Sequence, residues 1–556
     1  MNKLSKIGHS TVSVKECDTT LPKGRLYLIL IIAWLSLFAG INTIPLESHD
    51  SFVLQTAREM GVTKDWVLPY FNQVPRLNKP PLNYWLTLGI STMDPFSSDV
   101  EPWHGRAPSL IGGLFLLLAT AYIGNKLYGG QTGFLAAALL LGTKGFSEFS
   151  HCARPDFLYS ALCVLQLFAW IAAWRAEDDS SAQRLNAASG WVLAALATLS
   201  KGPQGPAVFL LGFLLFLVCG ADRNRTLKVL RPFSGLLIVL ALCLPWWLLL
   251  QERIRMLGVN IGETQLSGSL LKTMSDWKEI FSFFYITRLM LLLLPATLLL
   301  PLILFLKRKR FGSPDDGDRL LLYIITATLA VFTVAGHYRP HYMLPLMPPI
   351  ALLMAASVDK TTVDHMSEKI WQWVFWLGAL AAAVFPLLLA GNQQYGSASL
   401  LGVTGIILIL LLQMELSEPV WRFHSFTAKL IPCCLFATLI FAGFNAYSYR
   451  GNRDGDRDFS FSVGKMLHTD DLLFALGSYP DVFPYYANHH VISVNGLDDL
   501  KKRIEKRFTA GAFYVLVYQD EIAALNVIAT TSPLLVLGGK KSGKKLVFAK
   551  ILTLRR

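Results

Sequence analysis

Long apolar runs alternate with short polar segments through most of this chain. Many runs contain roughly 17 to 22 residues, the helix length that crosses about 30 Å of hydrocarbon. Only segments that satisfy their own backbone hydrogen bonds can span lipid, so the runs predict helices. The predicted spans are 26–44, 108–126, 131–147, 157–175, 187–201, 205–220, 232–250, 284–306, 319–335, 341–357, 371–390, 398–413 and 428–446.

The basic residues lie in short clusters between apolar runs, for example at 223–231 and 307–310. A cytoplasmic N-terminus places these clusters in inside loops, whereas the short outside loops carry few basic residues. We therefore predict a mainly α protein, a transmembrane bundle of about thirteen helices over residues 1–447. The odd number of spans puts the C-terminal region outside.

Composition supports this prediction and removes one alternative. Of 556 residues, 53% are hydrophobic and 16% charged, which a water-soluble protein of this size could not solvate. The net charge of +13 could suggest nucleic acid, but the basic residues are dispersed as topology anchors. Because no soluble basic face with interleaved aromatics is present, we exclude nucleic-acid binding. The seven cysteines form neither a disulfide framework nor a CxxC metal motif.

Three segments outside the predicted spans are too long to be simple connections. The first outside loop, 45–108, contains a helical stretch and several aromatic residues, and loops of this length are usually functional. A second long outside loop is 251–283. Residues 448–556 are charged and contain short β-branched runs, which predicts a small α/β domain on the outer face.

Charged residues at the outer membrane boundary are the candidates for chemistry, because a titratable side chain beside hydrocarbon needs a partner or a function. The alternative for each one alone is a structural ion pair or a side chain that reaches the headgroups. Grouped on one face, they could hold a phosphate and orient a nucleophile. The acidic candidates are Glu47, Asp50 and Asp156, and the basic candidates are Lys79, Arg154, Lys201 and Arg339.

Two local motifs strengthen this set. In Lys79-Pro80-Pro81, the paired prolines fix an extended backbone and would hold the lysine at a defined place; the alternative is an ordinary proline-broken loop. The segment 336–342 joins two spans and offers Tyr338 and Tyr342 beside Arg339 as a possible phosphate clamp. His337 and His341 could form a metal pair, but Pro340 between them disfavours a regular helix.

The ordered motifs resemble the C-type integral-membrane glycosyltransferases, and within them the bacterial aminoarabinose transferases that modify lipid A, relatives of protein O-mannosyltransferases. The matching motifs are Arg58-Glu59-Met60, Asp65-Trp66-Val67-Leu68-Pro69, Asn78-Lys79-Pro80-Pro81-Leu82, Arg106-Ala107-Pro108, Arg154-Pro155-Asp156, Leu199-Ser200-Lys201-Gly202-Pro203, Pro245-Trp246-Trp247 and His337-Tyr338-Arg339. They cover roughly the first 360 residues.

The first loop departs from that family pattern. The family usually has Asp-Glu followed shortly by Arg-Tyr after the first span, where this chain has His49-Asp50 and then Phe52-Val53. The acidic function then falls to Asp50, with Glu47 as a possible substitute. These departures concern the sugar and the acceptor more than the reaction type.

The resemblance implies an inverting transfer of a sugar, 4-amino-4-deoxy-L-arabinose, from undecaprenyl phosphate to lipid A or a related envelope acceptor at the periplasmic face of the bacterial inner membrane. By that resemblance, Lys79 and Arg339, assisted by Lys201 or Arg154, stabilise the departing phosphate, and Asp50 and Asp156 orient the sugar or acceptor. It implies no cofactor, and the sequence leaves a divalent metal open.

Two other functions fit parts of the pattern. One is a protein O-mannosyltransferase-like or other polyprenyl-phosphate hexosyltransferase. The other is a transporter or flippase for lipid-linked sugars, which would place ionisable residues near mid-membrane and show inverted repeats. The candidate charges instead lie at one boundary, and no repeat is visible.

Overall fold

The computed structural model describes residues 44–220, 225–258, 283–300, 315–335, 339–359, 450–506, 511–538 and 545–554, with a few positions between 27 and 42. Most of the predicted span 26–44 and the spans 371–390, 398–413 and 428–446 lie outside the described residues, as does most of the second long loop. The described residues form a helical bundle, the first loop beside it and a C-terminal sheet region, residues 450–554.

Apolar length predicted most of the bundle helices well. The helices, in chain order, are α1 Ser48–Thr63, α2 Leu82–Met93, α3 Pro102–Tyr128, α4 Gly130–Leu141, α5 Lys144–Ser150, α6 Pro155–Arg175, α7 Ser181–Lys201, α8 Gln204–Cys219, α9 Thr226–Leu230, α10 Pro232–Met256, α11 Phe284–Leu292, α12 Asp316–Ala335 and α13 Met347–Asp359. Among the described residues, α3, α6, the α9–α10 segment and α12 are long and apolar enough to cross a membrane. This supports a multipass membrane protein.

Three predicted spans are not continuous α-helices. The span 131–147 breaks after α4, because the Thr143 hydroxyl accepts the Phe146 N–H (3.2 Å) and starts α5 as a new helix. The span 284–306 is interrupted after α11, just before Pro295, which has no N–H to donate. The span 341–357 begins as a 3-10 helix, Pro340–Leu346, and becomes α-helical only from Met347.

Helix α6 lies at the centre of the described bundle and packs against α3 and α7. Its Trp170 is fully buried, and the α7 backbone approaches this indole at Gly190. A Cβ at Gly190 would lie 2.2 Å from Trp170 Nε1, so only glycine permits the contact. Tight packing of α6 fixes its N-terminus, which carries Asp156.

The first loop folds as α1, a short hairpin and α2. The hairpin pairs β1 Tyr70–Phe71 with β2 Val74–Pro75, and its turn residues Asn72 and Gln73 both have positive φ. That geometry matches a two-residue turn whose twist suits paired strands. The loop is also fixed to the bundle, because the Trp246 indole of α10 donates to the Val67 carbonyl (3.0 Å).

The C-terminal region contains a five-stranded sheet with the order β4-β3-β5-β7-β6. Strands β3, β4 and β5 are parallel neighbours, whereas β7 runs antiparallel to β5 and β6. The strands are β3 Leu472–Leu476, β4 Val491–Val494, β5 Phe513–Tyr518, β6 Ala529–Leu537 and β7 Leu546–Leu554; the helices are α14 Arg450–Met466, α15 Phe483–Ala487, α16 Leu497–Glu505 and α17 Ile522–Ile528. The described residues of this region thus contain both strands and helices, in agreement with the α/β character predicted from the sequence.

Candidate active site

Asp156 is the buried centre of the candidate site. It lies in the first turn of α6, where the helix dipole favours a carboxylate, and its side chain is 4% exposed. Oδ2 accepts from Arg154 Nε at 2.9 Å, and Oδ1 makes an ion pair with Lys201. One carboxylate therefore joins the beginning of α6 to the end of α7.

Lys201 reaches Asp156 because α7 ends at this lysine. Gly202 follows with φ +121, a backbone conformation that a residue with a Cβ rarely adopts, and the chain then turns into α8. The Lys201 ammonium lies 4.6 Å from the centre of the Tyr342 ring and 5.3 Å from that of Tyr159. Two aromatic faces and one carboxylate thus hold this buried cation in place.

His341 completes the group around Asp156. Arg154 Nη2 donates to His341 Nδ1 at 3.3 Å, which leaves the imidazole proton on Nε2. Nε2 lies 3.8 Å from Asp156 Oδ1. The 3-10 geometry of residues 340–346 brings both His341 and Tyr342 to the site.

Lys79 lies close enough to the charged residues around Asp156 for their charges to change its pKa. Burial, together with the nearby cations Lys201, Arg154 and Arg339, lowers the pKa of Lys79 to about 8 against the opposing effect of Asp156. The loop is fixed to α7 by a hydrogen bond of 2.8 Å from the Ser200 hydroxyl to the Asn83 side-chain oxygen. Within the described residues, neither Lys79 nor Arg339 makes an ion pair.

Asp50 has a different environment from Asp156. It is 1% exposed and accepts from Arg106 Nη2 at 3.1 Å and from the Ala153 N–H at 2.7 Å. The Arg106 guanidinium also donates to the carbonyls of Ile41 and Ile44. Asp50 therefore connects α1 to α3 and to the residue before Arg154, and both of its oxygens are occupied.

Glu47 and His49 lie beside Asp50 at the start of α1. Glu47 and Asp50 raise the pKa of the Cys152 thiol in addition to the larger effect of burial. Burial also lowers the pKa of His49, and Arg154 lowers it further. Both residues are therefore electrostatically coupled to the segment that leads into Asp156.

The structure brings together most of the residues predicted from the sequence. Lys79, Arg154, Asp156, Lys201, Arg339 and Tyr342 lie in one group, and Glu47 and Asp50 lie next to it. Tyr338 and His337 lie outside the described residues. The roles assigned to all of these residues stay predictions.

Three contributing residues were not among the predicted site residues. Arg106 occurs in the sequence only as part of a motif, Tyr159 lies inside a predicted apolar span, and the sequence suggests His341 only as a metal ligand. In the structure His341 contacts Arg154 and Asp156, and among the described residues no group of three metal-ligating side chains occurs. Its position beside Arg339 was the available sequence signal.

Comparison with known proteins gives two partial family matches. Residues 78–249 match the dolichyl-phosphate-mannose-protein mannosyltransferase family, and residues 281–408 match the Alg9-like mannosyltransferase family. The first match contains Lys79, Asp156 and Lys201. Both families consist of glycosyltransferases.

Similar curated proteins are about one quarter identical. An undecaprenyl phosphate-alpha-4-amino-4-deoxy-L-arabinose arabinosyl transferase of Serratia proteamaculans is 25% identical over 79% of this chain and 74% of its own length. The Pseudomonas savastanoi protein of the same name is 26% identical over 60% of this chain and 61% of its own. An uncharacterized protein of Aquifex aeolicus is 25% identical over 65% of this chain and 72% of its own.

Two solved structures share the fold. The crystal structure of ArnT from Cupriavidus metallidurans, bound to undecaprenyl phosphate, has a TM-score of 0.73 at 17% identity and covers 95% of this chain and 98% of that one. The archaeal oligosaccharyltransferase AglB from Archaeoglobus fulgidus has a TM-score of 0.51 at 12% identity, over 91% and 71% of the two chains.

The chain is similar in fold to ArnT and AglB and in sequence to two mannosyltransferase families, so it resembles the C-type integral-membrane glycosyltransferases, as its motifs indicated. Within this class, the chain resembles the undecaprenyl phosphate-aminoarabinose transferases, in sequence as well as in fold.

Proposed function

We propose that this protein transfers 4-amino-4-deoxy-L-arabinose from undecaprenyl phosphate to lipid A or a related envelope acceptor. The reaction takes place at the periplasmic face of the bacterial inner membrane. The N-terminus is cytoplasmic, and about thirteen helices span the membrane in residues 1–447. Residues 448–556 form a periplasmic α/β domain. The observation that carries the proposal is the excess of cations around Asp156.

The charge count at the site favours an anionic ligand. Arg154 and Lys201 both contact Asp156, so the single carboxylate is already shared between two cations. Lys79 and Arg339 add two more positive charges, and the depressed pKa of Lys79 reflects their mutual repulsion as well as burial. A phosphate relieves this repulsion and supplies the missing counter-charge.

The same arrangement suits transfer from a lipid phosphate. An acceptor oxygen attacks the anomeric carbon from the side opposite the phosphate, so that carbon inverts. The bond from the anomeric carbon to the phosphate oxygen breaks, and its electron pair remains on that oxygen. Lys79 and Arg339, with Arg154 and Lys201, stabilise the negative charge that develops on the departing undecaprenyl phosphate.

The acidic residues have supporting roles in this mechanism. Asp156 holds Arg154 and Lys201 in position, and Asp50 holds α1 against the Ala153–Arg154 backbone. Glu47 is the further acidic group near the site that can orient the sugar or acceptor. An acceptor phosphate on lipid A is already an anion and needs no strong general base, whereas a hydroxyl acceptor would need one.

The second candidate function is a polyprenyl-phosphate hexosyltransferase of the protein O-mannosyltransferase kind. The match of residues 78–249 to a mannosyltransferase family supports it. In this second reaction a polyprenyl phosphate also departs from the anomeric carbon. The sugar is a hexose, however, and the acceptor group is a hydroxyl.

The test is direct transfer by purified full-length protein in lipid nanodiscs. The protein receives undecaprenyl phosphate-linked aminoarabinose or polyprenyl phosphate-linked mannose together with lipid A and a peptide that contains serine and threonine, and mass spectrometry measures the products. We expect aminoarabinose-modified lipid A from the wild type and from Lys126→Met, an exposed lysine at the opposite end of α3. Transfer of mannose alone would establish the second function, and no transfer from either donor would contradict both.

Orientation has its own test. Single cysteines at positions 79 and 228, in an otherwise cysteine-free protein, should react with an impermeant reagent from opposite sides of the membrane, because Lys228 is exposed whereas its neighbour Val229 is buried. Labelling of both from the same side would contradict the proposed topology.

A further inference from the structure

The hairpin turn of the first loop contacts an edge strand of the C-terminal sheet region. Strand β4 is at the end of the strand order, so one side of it has no strand neighbour among the described residues. Asn72 Nδ2 donates to the Val491 carbonyl at 2.8 Å, and Asn72 Oδ1 accepts the Val491 N–H at 2.9 Å. The carboxamide thereby satisfies both backbone groups of one edge residue, as a neighbouring strand would.

Helix α1 fixes this turn from the other side. The Glu59 carboxylate accepts the N–H of Asn72 at 2.7 Å and the N–H of Gln73 at 2.9 Å. Positive φ at both turn residues aims these two N–H groups at the same carboxylate. The contact between Asn72 and β4 is therefore transmitted to α1 through Glu59.

The C-terminal region contacts α1 along its length. Near the start of α1, the Ser51 hydroxyl donates to the Asp481 carbonyl at 2.9 Å, and the Leu46 N–H donates to the Tyr486 hydroxyl at 3.0 Å. Further along, Arg58 donates to the Tyr485 carbonyl at 2.9 Å, and its guanidinium lies 4.3 Å from the centre of the Tyr485 ring. Several separate contacts thus oppose both translation and rotation of the helix.

The position of α1 matters because it carries Asp50. Asp50 Oδ1 binds the Ala153 N–H, one residue before Arg154, and Arg154 contacts Asp156. A shift of α1 would therefore move the cation site without removing any of its charged groups. Within the described residues, the C-terminal region has no ion pair with any residue of that site.

We infer that the C-terminal α/β region is a positioning element for the reaction, and that Asn72 is the residue that couples its edge strand to α1. The effect on turnover rests on the proposed sugar transfer. The mechanical coupling from Asn72 through α1 to residues 151–156 does not depend on it.

The experiment compares Asn72→Gly with Gln73→Gly in full-length protein in nanodiscs. Both changes keep a residue that tolerates positive φ, and both relax the turn similarly. Only the first removes the carboxamide from β4, since the Gln73 side chain is exposed. Hydrogen exchange at residues 48–63, 151–156 and 491–494 is measured together with steady-state kinetics.

We expect Asn72→Gly to raise exchange at least tenfold in all three segments and to lower kcat about tenfold, with KM for the lipid-linked donor changed less than twofold. Gln73→Gly should match the wild type in both measurements. Unchanged exchange at 151–156, or raised exchange with an unchanged kcat, would overturn the inference. A wild type that transfers no sugar contradicts the proposed function instead, and the exchange at 151–156 still decides whether Asn72 couples β4 to the site.

Discussion

The two ends of the helical bundle differ in the exposure and pairing of their charged side chains. At the candidate site, Asp156 is 4% exposed and shares two direct cation contacts, while further cations stand nearby. At the other end, Asp178 and Asp179 are 38% and 58% exposed and pair with Arg225 and Arg231. Lys228 lies within 3.7 Å of both aspartates. Both ends contain clusters of ion pairs, but only one of them buries an excess of one sign.

Under the proposed function, this difference separates a structural cluster from a functional one. Exposed ion pairs contribute at most about 1 kcal/mol each, because water and salt screen them. A buried excess of positive charge opposes folding, so it persists where a ligand uses it. We therefore propose that the charged loops at the opposite end fix topology, whereas the site end binds an anion.

The largest effect should follow from Asp156→Asn. This change leaves Arg154 and Lys201 buried without a counter-charge, and breaking a buried pair in this way costs about 3–5 kcal/mol. Sugar transfer should fall by at least about a thousandfold, equivalent to about 4 kcal/mol. Thermal unfolding and product formation measure the two effects. A second change, Lys201→Met, should restore part of the stability but none of the activity; full stability in Asp156→Asn alone would contradict the buried pairing.

Lys79→Met should separate function from stability. Loss of a phosphate-binding charge should lower kcat/KM about a hundredfold or more. The pKa of Lys79 is about 8 in the folded protein against 10.5 unfolded, so folding opposes its protonation. At pH 7 the neutral methionine should therefore leave stability unchanged or raise it by about 1–2 kcal/mol. A marked loss of stability would show that Lys79 is a structural residue.

The pH dependence of kcat/KM should report the loss of the proton from Lys79. Below pH 8 Lys79 is protonated and can bind the phosphate; above pH 8 it loses its charge, so kcat/KM should fall about tenfold per pH unit. The stability contribution runs the other way and rises between pH 8 and 10.5, because the unfolded chain binds more protons there. In Lys79→Arg, the guanidinium stays charged. A fall above pH 8 that persists in this variant would assign the titration to another group.

The smallest effect should follow from Asp178→Asn at the opposite end. Since this carboxylate is exposed, the change should leave the free energy of unfolding nearly unchanged and alter sugar transfer less than twofold. Measured beside Asp156→Asn under the same conditions, it provides the matched control for the comparison of the two ends. Equal losses at both ends would remove the basis for calling one of them functional.

The sequence predicted which charged residues lie close together better than it predicted the contacts between them. Lys79, Asp156 and Lys201 could be chosen because charges beside apolar runs are rare and their places follow from span boundaries. The ion-pair partner of Asp50 could not be predicted from span boundaries. Arg106 lies 56 residues away and contacts Asp50 only because α1 folds back against α3.

The interruptions of the predicted spans show the same limit of prediction from sequence. Apolar length identified the segments containing α4 and α11, but it did not reveal that each predicted span is broken. Thr143 prefers to cap a new helix, and Pro295 cannot continue the old one, yet both residue types also occur inside membrane helices. Only the packing around them decides which outcome is stable.

The sequence by itself determined the membrane class, most helix positions among the described residues and the helix ends at which the informative charges lie. These properties depend on local apolar length and on proline and glycine positions, which act over a few residues. The tertiary structure alone decided that Asp156 joins Arg154 to Lys201, that Asp50 binds Arg106, and that Asn72 pairs with the edge of β4. These pairings depend on how distant segments meet, because a buried charge or backbone group takes whichever partner the fold brings within hydrogen-bonding distance.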